Sequence, residues 1–273
     1  MTDASPNAMA GRTGILIATT VLIIWVLLPI YLLTVNAISA PETVTGWPKS
    51  GLPGFDIGSL SFFANYAGVA RALLNSILVA TFTMVFAIVL GAPAGYALAR
   101  FRFRGAGTFR LLVLMTRAFP LPLLALPIAI AYIRVGLDDT AIGLALVHTT
   151  LALPFSVLIT ASLFSSIPVE LEEAAWTLGC TRASAFTRIV LPLALPGIAA
   201  SGVFAFVTSW NEVFAASVLT VRNQTLTSFL LTSIDQSPLP LKFAGAFVLL
   251  VPALVFLFLV RKYLFSLWGI ANR

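Results

Sequence analysis

Long apolar runs alternate with short polar segments along the chain, and this spacing predicts six membrane-spanning helices. The runs cover residues 15–37, 72–99, 111–135, 141–163, 196–220 and 242–264. At about 1.5 Å per helical residue, each can cross roughly 30 Å of hydrocarbon. The first run is uncharged and exceeds the roughly 7 to 15 residues of a signal-peptide core, so it reads as a retained helix, although Ala37-Ile38-Ser39 offers a small-residue cleavage site. In the second, Gly91 and Gly95 flank Pro93; that spacing either permits close helix packing or falls on lipid by accident. Arg117, Pro120, Pro122 and Pro127 interrupt the third. Hydrocarbon tolerates such breaks only where protein or water satisfies the backbone, so this run is expected in a bundle or beside a cavity. Residues 39–70, 136–140 and 221–241 are the outer loops, the first carrying Trp47, Phe62, Phe63 and Tyr66 at interface depth.

Between the fourth and fifth runs lies IPVELEEAAWTLGCTRASAFTRIVLP, residues 167–192. Pro168 suits a first helical turn, and Glu170, Glu172 and Glu173 place negative charge near the positive end of the helix dipole. Leu171, Ala174, Ala175 and Leu178 fall at i, i+3, i+4 and i+7 and predict one apolar face, small enough at its centre for close approach. Gly179 is expected to stop this helix. Thr181 would cap a second short helix with Phe186, Ile189 and Val190 on its apolar stripe, ended by Pro192. On physics alone this is either an amphipathic helix lying on the membrane or a docking element.

Glu173-Ala174-Ala175, three residues, Gly179, nine residues, then Ile189-Val190-Leu191-Pro192 closely resembles the EAA loop of bacterial ABC-importer permease subunits. The flanking SIPVELEEAAWTLGC and LPLALPGIAASGVFAFVTSWNEV are similar to the carbohydrate-uptake branch that includes the maltose-importer permeases. The resemblance spans about 73–262 and is strongest over 153–220. It implies an all-α integral membrane protein with the six-helix ABC type I importer permease fold, in the bacterial inner membrane. It also implies partners: an ABC ATPase dimer that uses ATP and Mg, a second and paralogous permease subunit, and an extracytoplasmic solute-binding protein. Glu173 would bond to the ATPase, Ala174 and Ala175 would permit close approach, Gly179 would form the turn, and Ile189, Leu191 and Pro192 complete the coupling motif. The implied solute is a carbohydrate, polyol or glycerol-like compound, and the corresponding 221–241 loop reaches toward the binding protein in maltose-type systems. The C-terminal LFSLWGIANR departs from the glycine-rich tail of that branch.

Composition agrees with a membrane protein: 59% of residues are hydrophobic and 10% charged, against roughly 25% charged in soluble domains. The net charge of +6 is not a nucleic-acid patch, because its placement follows the positive-inside rule. Arg100, Arg102, Arg104, Arg110, Arg182, Arg188, Arg261, Lys262 and Arg273 mark cytoplasmic edges, whereas Glu42, Asp56, Asp138, Asp139 and Asp235 lie in outer loops. Both termini are thus expected in the cytoplasm, with tails at 1–14 and 265–273 around a single permease domain at 15–264. No internal repeat is evident, which weakens an inverted-repeat secondary transporter.

Two polar sites fall inside apolar runs. A carboxylate at Glu212 costs a few kcal/mol in hydrocarbon unless paired, protonated or hydrated, and Arg117 is the strongly basic group at comparable depth. The two are expected either to pair and hold helices together, to line a solute path, or to lie apart. Trp210 offers a ring face for stacking on a sugar and Asn211 both donor and acceptor for hydroxyls; packing inward is the alternative. His148, the one histidine, reads as a hydrogen-bonded packing residue more than as a proton relay, and it excludes His-pair metal sites. Cys180 is the only cysteine and reads as a boundary residue. With no phosphate-binding loop and no cluster of catalytic carboxylates, the sequence assigns this chain no catalytic residue, no metal and no cofactor of its own.

Overall fold

The computed structural model describes residues 6–49, 51–101 and 103–267. Arg102 and, within the two expected tails, residues 1–5 and 268–273 lie outside the described residues, as do the side chains of Arg261 and Lys262. Every regular element described is helical: α1 (Pro6–Ala37), α2 (Pro41–Thr45), α3 (Gly58–Ala64), α4 (Val69–Arg100), α5 (Ala106–Met115), α6 (Leu121–Val135), α7 (Ala141–Ser166), α8 (Glu170–Thr177), α9 (Arg182–Ala185), α10 (Leu191–Trp210), α11 (Phe214–Leu219), α12 (Leu226–Ser233) and α13 (Leu239–Leu267). Five helical stretches are long and apolar enough to cross a membrane, or six if residues 106–118 and 121–135, bent against each other by 86°, count as one span. The six expected runs therefore all carry helices.

The chain divides into two compact units, residues 6–66 with 234–248 and residues 67–233 with 249–267. In the first, the loop after α1 is tied back to that helix. Ser39 Oγ donates to Val35 O and accepts from the Gly54 amide at 3.1 Å, and Tyr31 donates to Gly51 O.

The second unit is built on α4, α7 and α10, which pack against one another. Glycine lets them approach. A Cβ added to Gly95 would stand 2.7 Å from the Ala161 amide nitrogen, and one on Gly91 would stand 2.9 Å from Ser156 Cβ. Thr160 on α7 donates across this seam to Gly91 O at 3.0 Å. On α10, Gly197 faces Leu163 of α7, and Gly202 faces Met84 and Ile88 of α4. The glycine pair in the second span is thus a packing device.

Three places depart from simple spans, the last being the gap after Trp210 that divides the expected 196–220 run between α10 and α11. Phe119 precedes Pro120 and is extended (φ −77, ψ 118), because proline excludes the α region from the residue before it. Helix α5 therefore ends through a 3₁₀ turn at Thr116–Ala118, and α6 restarts with Pro122 in its first turn. The second is a correction: Pro192 does not end the helix that starts at Arg182. Five residues, Phe186–Val190, form a π turn, and the Leu191 amide donates to Phe186 O. This wider turn absorbs the bond that Pro192 cannot make, and the chain stays helical from Arg182 to Trp210.

At the opposite end, the Asp139 carboxylate accepts from the amides of Val221, Arg222 and Asn223 at 2.9–3.1 Å, while Asn223 Nδ2 donates to Asp139 O at 2.7 Å. The connection after α6 is thereby pinned to the one after α11.

If the α4–α7 seam depends on backbone approach, Gly95→Ala should cost about 1–3 kcal/mol by overpacking and lower the melting temperature of the detergent-solubilised protein. Gly107→Ala on α5, where an added Cβ meets nothing within 4 Å, should leave it unchanged.

Candidate functional site

Helix α8 and the turn that follows form the most distinctive surface. Three glutamates occupy its first turn, where the dipole favours them. It ends in a Schellman arrangement: the Cys180 amide donates to Ala175 O and the Gly179 amide to Trp176 O, each at 3.0 Å, with Gly179 at φ +87. Thr181 Oγ1 then accepts from the Ser184 amide at 3.2 Å, so α9 starts where the sequence places its cap.

The inward face of α8 differs from the one its periodicity suggests. Only Glu172 and Ala175 are buried, at 1% and 4% exposure, whereas Leu178 is 86% exposed. Leu171, Ala174 and Leu178 instead form an outward apolar stripe beside exposed Glu173 and Gly179. Ala174 thus lies on the free face and Ala175 packs into this chain. Ile189 and Leu191 are half-buried on the π turn and the start of α10, with Pro192 exposed beside them.

Glu172 is buried because it has partners. Arg100, the last residue of α4, donates from Nε to Glu172 Oε1 at 2.5 Å, from Nη1 to Phe164 O at 2.8 Å and from Nη2 to Ile167 O at 3.0 Å. Tyr96 donates to Glu172 Oε2 at 2.6 Å. The Tyr96 ring in turn packs edge-on against Phe164 and Phe186, with centroids 5.3 and 4.8 Å away. One guanidinium therefore joins the ends of α4 and α7 to α8, and its charge neutralises the negative end of the α7 dipole. Removing one member of such a buried pair costs about 3–5 kcal/mol. A cavity of about 480 Å³ adjoins the cluster, walled by Pro93, Tyr96, Arg100, Trp176, Arg182 and Phe186. Arg100, Tyr96 and Glu172 were not singled out as a site in the sequence. The one available signal was that Glu172 shares a helix face with Ala175.

The polar residues inside the spans fall into separate places. Glu212 does not meet Arg117. It sits in the break between α10 and α11, where Oε1 accepts from the amides of Phe214 and Ala215 at 2.9 and 3.0 Å and Oε2 from Ala216 at 3.2 Å. Its side-chain partner is His148, with Nε2 at 3.1 Å. His148 has no exposure, and its Nδ1 lies 2.7 Å from Ser209 Oγ, to which Thr83 also donates at 3.2 Å. The hydrogen-bonded packing expected of His148 is what the structure shows. Trp210 is 2% exposed, stacks on Phe206 with centroids 5.9 Å apart, and donates from Nε1 to Leu249 O at 3.2 Å. Asn211 is exposed and donates to Val207 O. Arg117, exposed at the break between α5 and α6, lies over the Phe155 ring at 4.3 Å, and Phe155 packs against Phe204. No carboxylate pairs with it among the described residues.

Known proteins are similar to this chain in sequence and in fold. The chain is 34% identical over 218 residues to the trehalose transport system permease protein SugB of Mycobacterium tuberculosis (strain CDC 1551 / Oshkosh), covering 76% of this chain and 80% of that protein. It is 31% identical over 215 residues to the diacetylchitobiose uptake system permease protein NgcG of Streptomyces coelicolor (strain ATCC BAA-471 / A3(2) / M145), covering 77% and 70%. Its fold matches the crystal structure of a bacterial ABC transporter involved in the import of the acidic polysaccharide alginate, with a TM-score of 0.77 at 20% identity over 96% of this chain and 99% of that one. Residues 87–265 match the family described as binding-protein-dependent transport system inner membrane component. An all-helical bundle with a glycine-broken charged loop between its spans, together with that match over most of the chain, shows that the protein belongs to this family of transport permeases.

Proposed function

We propose that the chain is the transmembrane permease subunit of an ABC importer for a carbohydrate, polyol or glycerol-like solute, driven by a separate ATPase dimer that docks on α8. The observation that carries the docking is the outward stripe of Leu171, Ala174 and Leu178, which exposes apolar surface and a methyl-sized centre beside Glu173 on a helix held by its other face. A small residue there lets a cleft close onto the helix, and Gly179 supplies the turn that presents it. The ATPase would use ATP and Mg, and α8 would lie on the cytoplasmic side together with both termini. A second permease, a paralogue in this reading, would complete the path, and the 221–241 segment would meet the solute-binding protein outside. The names of the relatives, which concern trehalose and diacetylchitobiose, support a sugar.

Within the path, Arg117 is the residue whose chemistry remains available. Its guanidinium carbon lies 4.3 Å from the centre of the Phe155 ring, and it pairs with no carboxylate among the described residues. Unwound backbone and an exposed cation at span depth call for water or a solute. Trp210 and Glu212 would instead hold the walls, with Asn211 exposed between them. The unpaired cation also favours a second reading, a solute that bears an acidic group.

Two outcomes test this. Gentle detergent extraction of the tagged chain from its native host should recover an ATPase carrying a phosphate-binding loop and a second permease. Ala174→Trp, on a free face, should keep the chain in the membrane but reduce recovered ATPase about tenfold, equivalent to about 1.4 kcal/mol. Undiminished recovery would remove the docking role. Separately, Arg117→Gln should lower solute uptake about tenfold or more with the complex intact, as expected for loss of a charge-assisted contact; unchanged uptake would take Arg117 out of the path.

A further inference from the structure

We propose that the cluster of Arg100, Glu172 and Tyr96 is the rigid link through which movement of α8 reaches α4 and α7. The inference rests on the reading that an ATPase meets α8, and it assigns positioning residues that act through that helix.

Helix α8 has eight residues, and the chain is non-helical at both of its ends. On one side the chain leaves α7 through an extended Ile167 (φ −84, ψ 122) and Pro168; on the other it turns at Gly179 in the left-handed region. Its buried residues are Glu172 and Ala175. Ala175 contributes one methyl group, which gives little grip. Glu172 contributes a carboxylate with both oxygens engaged, each by a residue of the last two turns of α4.

Arginine suits this position for a geometric reason. Its planar fork directs three donors at once, to the Glu172 carboxylate and to the carbonyls of Phe164 and Ile167 at the end of α7. A shift of α8 therefore pulls on two spans through one side chain. The other end of the loop is held differently. Val190 and Phe186 pack with Phe164, Ala194 and Ile198 in an apolar cluster, which is non-directional and allows sliding. The adjoining cavity leaves one side of the link unfilled, so the polar cluster, and not surrounding packing, holds that side.

The test uses the complete transporter in vesicles and measures ATPase recovery, ATP hydrolysis and solute taken up per ATP hydrolysed. Arg100→Gln removes the link. Tyr96→Phe removes one hydrogen bond without leaving a buried charge unpaired, and so keeps the test open where the first variant folds poorly. Both should retain the ATPase and hydrolyse ATP. Uptake per ATP should fall about fivefold in Tyr96→Phe and more in Arg100→Gln, within the range of allosteric couplings. Arg100→Lys, which restores the charge without the fork, should recover only part of the loss. Wild-type uptake per ATP in Tyr96→Phe, or full recovery in Arg100→Lys, would overturn the link. Loss of the ATPase from these variants alone would also overturn it, since the cluster would then only shape α8 for docking. Absence of an ATPase from the wild-type complex would refute the docking reading itself, a distinguishable outcome.

Discussion

Inside a bilayer, helices gain almost nothing by hiding apolar side chains from one another, because lipid tails are equally apolar. What holds this bundle must be close backbone contact and polar groups that have no other partner. Both are concentrated where α4, α7 and α10 meet. Gly91 and Gly95 bring α4 against Ser156, Thr160 and Ala161, and the Thr160 hydroxyl bridges the seam to a main-chain carbonyl. Thr83, His148 and Ser209 add one polar junction that touches all three helices.

The same requirement explains the breaks. A helix interrupted within hydrocarbon frees amides and carbonyls that must find partners, and each unsatisfied group costs several kcal/mol. Glu212 answers three of those amides at the start of α11 while holding His148. Its carboxylate is therefore explained by the gap between α10 and α11 before any solute is invoked. At Pro192 the solution is different, because a π turn redistributes the bonds within the helix itself. Function then has a rigid frame on which to place the few groups left unsatisfied.

Much of this was legible in the sequence, and the failures share one cause. Hydrophobic run length placed a helix in every expected run, although the third is bent and the fifth starts earlier and breaks after Trp210, and local chemistry located the Gly179 turn and the Thr181 cap, since each depends on residues within four positions. Pairings across long separations were not legible. Arg117 and Glu212 were matched by charge and depth, yet Glu212 finds its partner 64 residues away in His148 and Arg117 finds an aromatic ring. In the sequence Glu172 is a dipole-stabilising charge like Glu170 and Glu173. Its burial depends on Arg100, 72 residues earlier, which the positive-inside rule had already accounted for as an edge residue. Periodicity also names an apolar face on α8 without saying which part of it the chain buries and which it leaves exposed.

The two arginines differ in how far their donors are committed. Arg100 has its donors spent on a carboxylate and two carbonyls, at a helix end where its charge is favourable. Such a group cannot recognise a solute without dismantling three elements. Arg117 stands where the helix has been broken by proline, with a phenyl ring beneath it that stabilises the cation without consuming its N–H edge. Residue type and membrane depth are thus poor guides to role, whereas the fraction of donors already committed is informative. By that criterion Arg100 is a structural cation at the α8 junction, whereas Arg117, at the bend between α5 and α6, is paired with no carboxylate among the described residues.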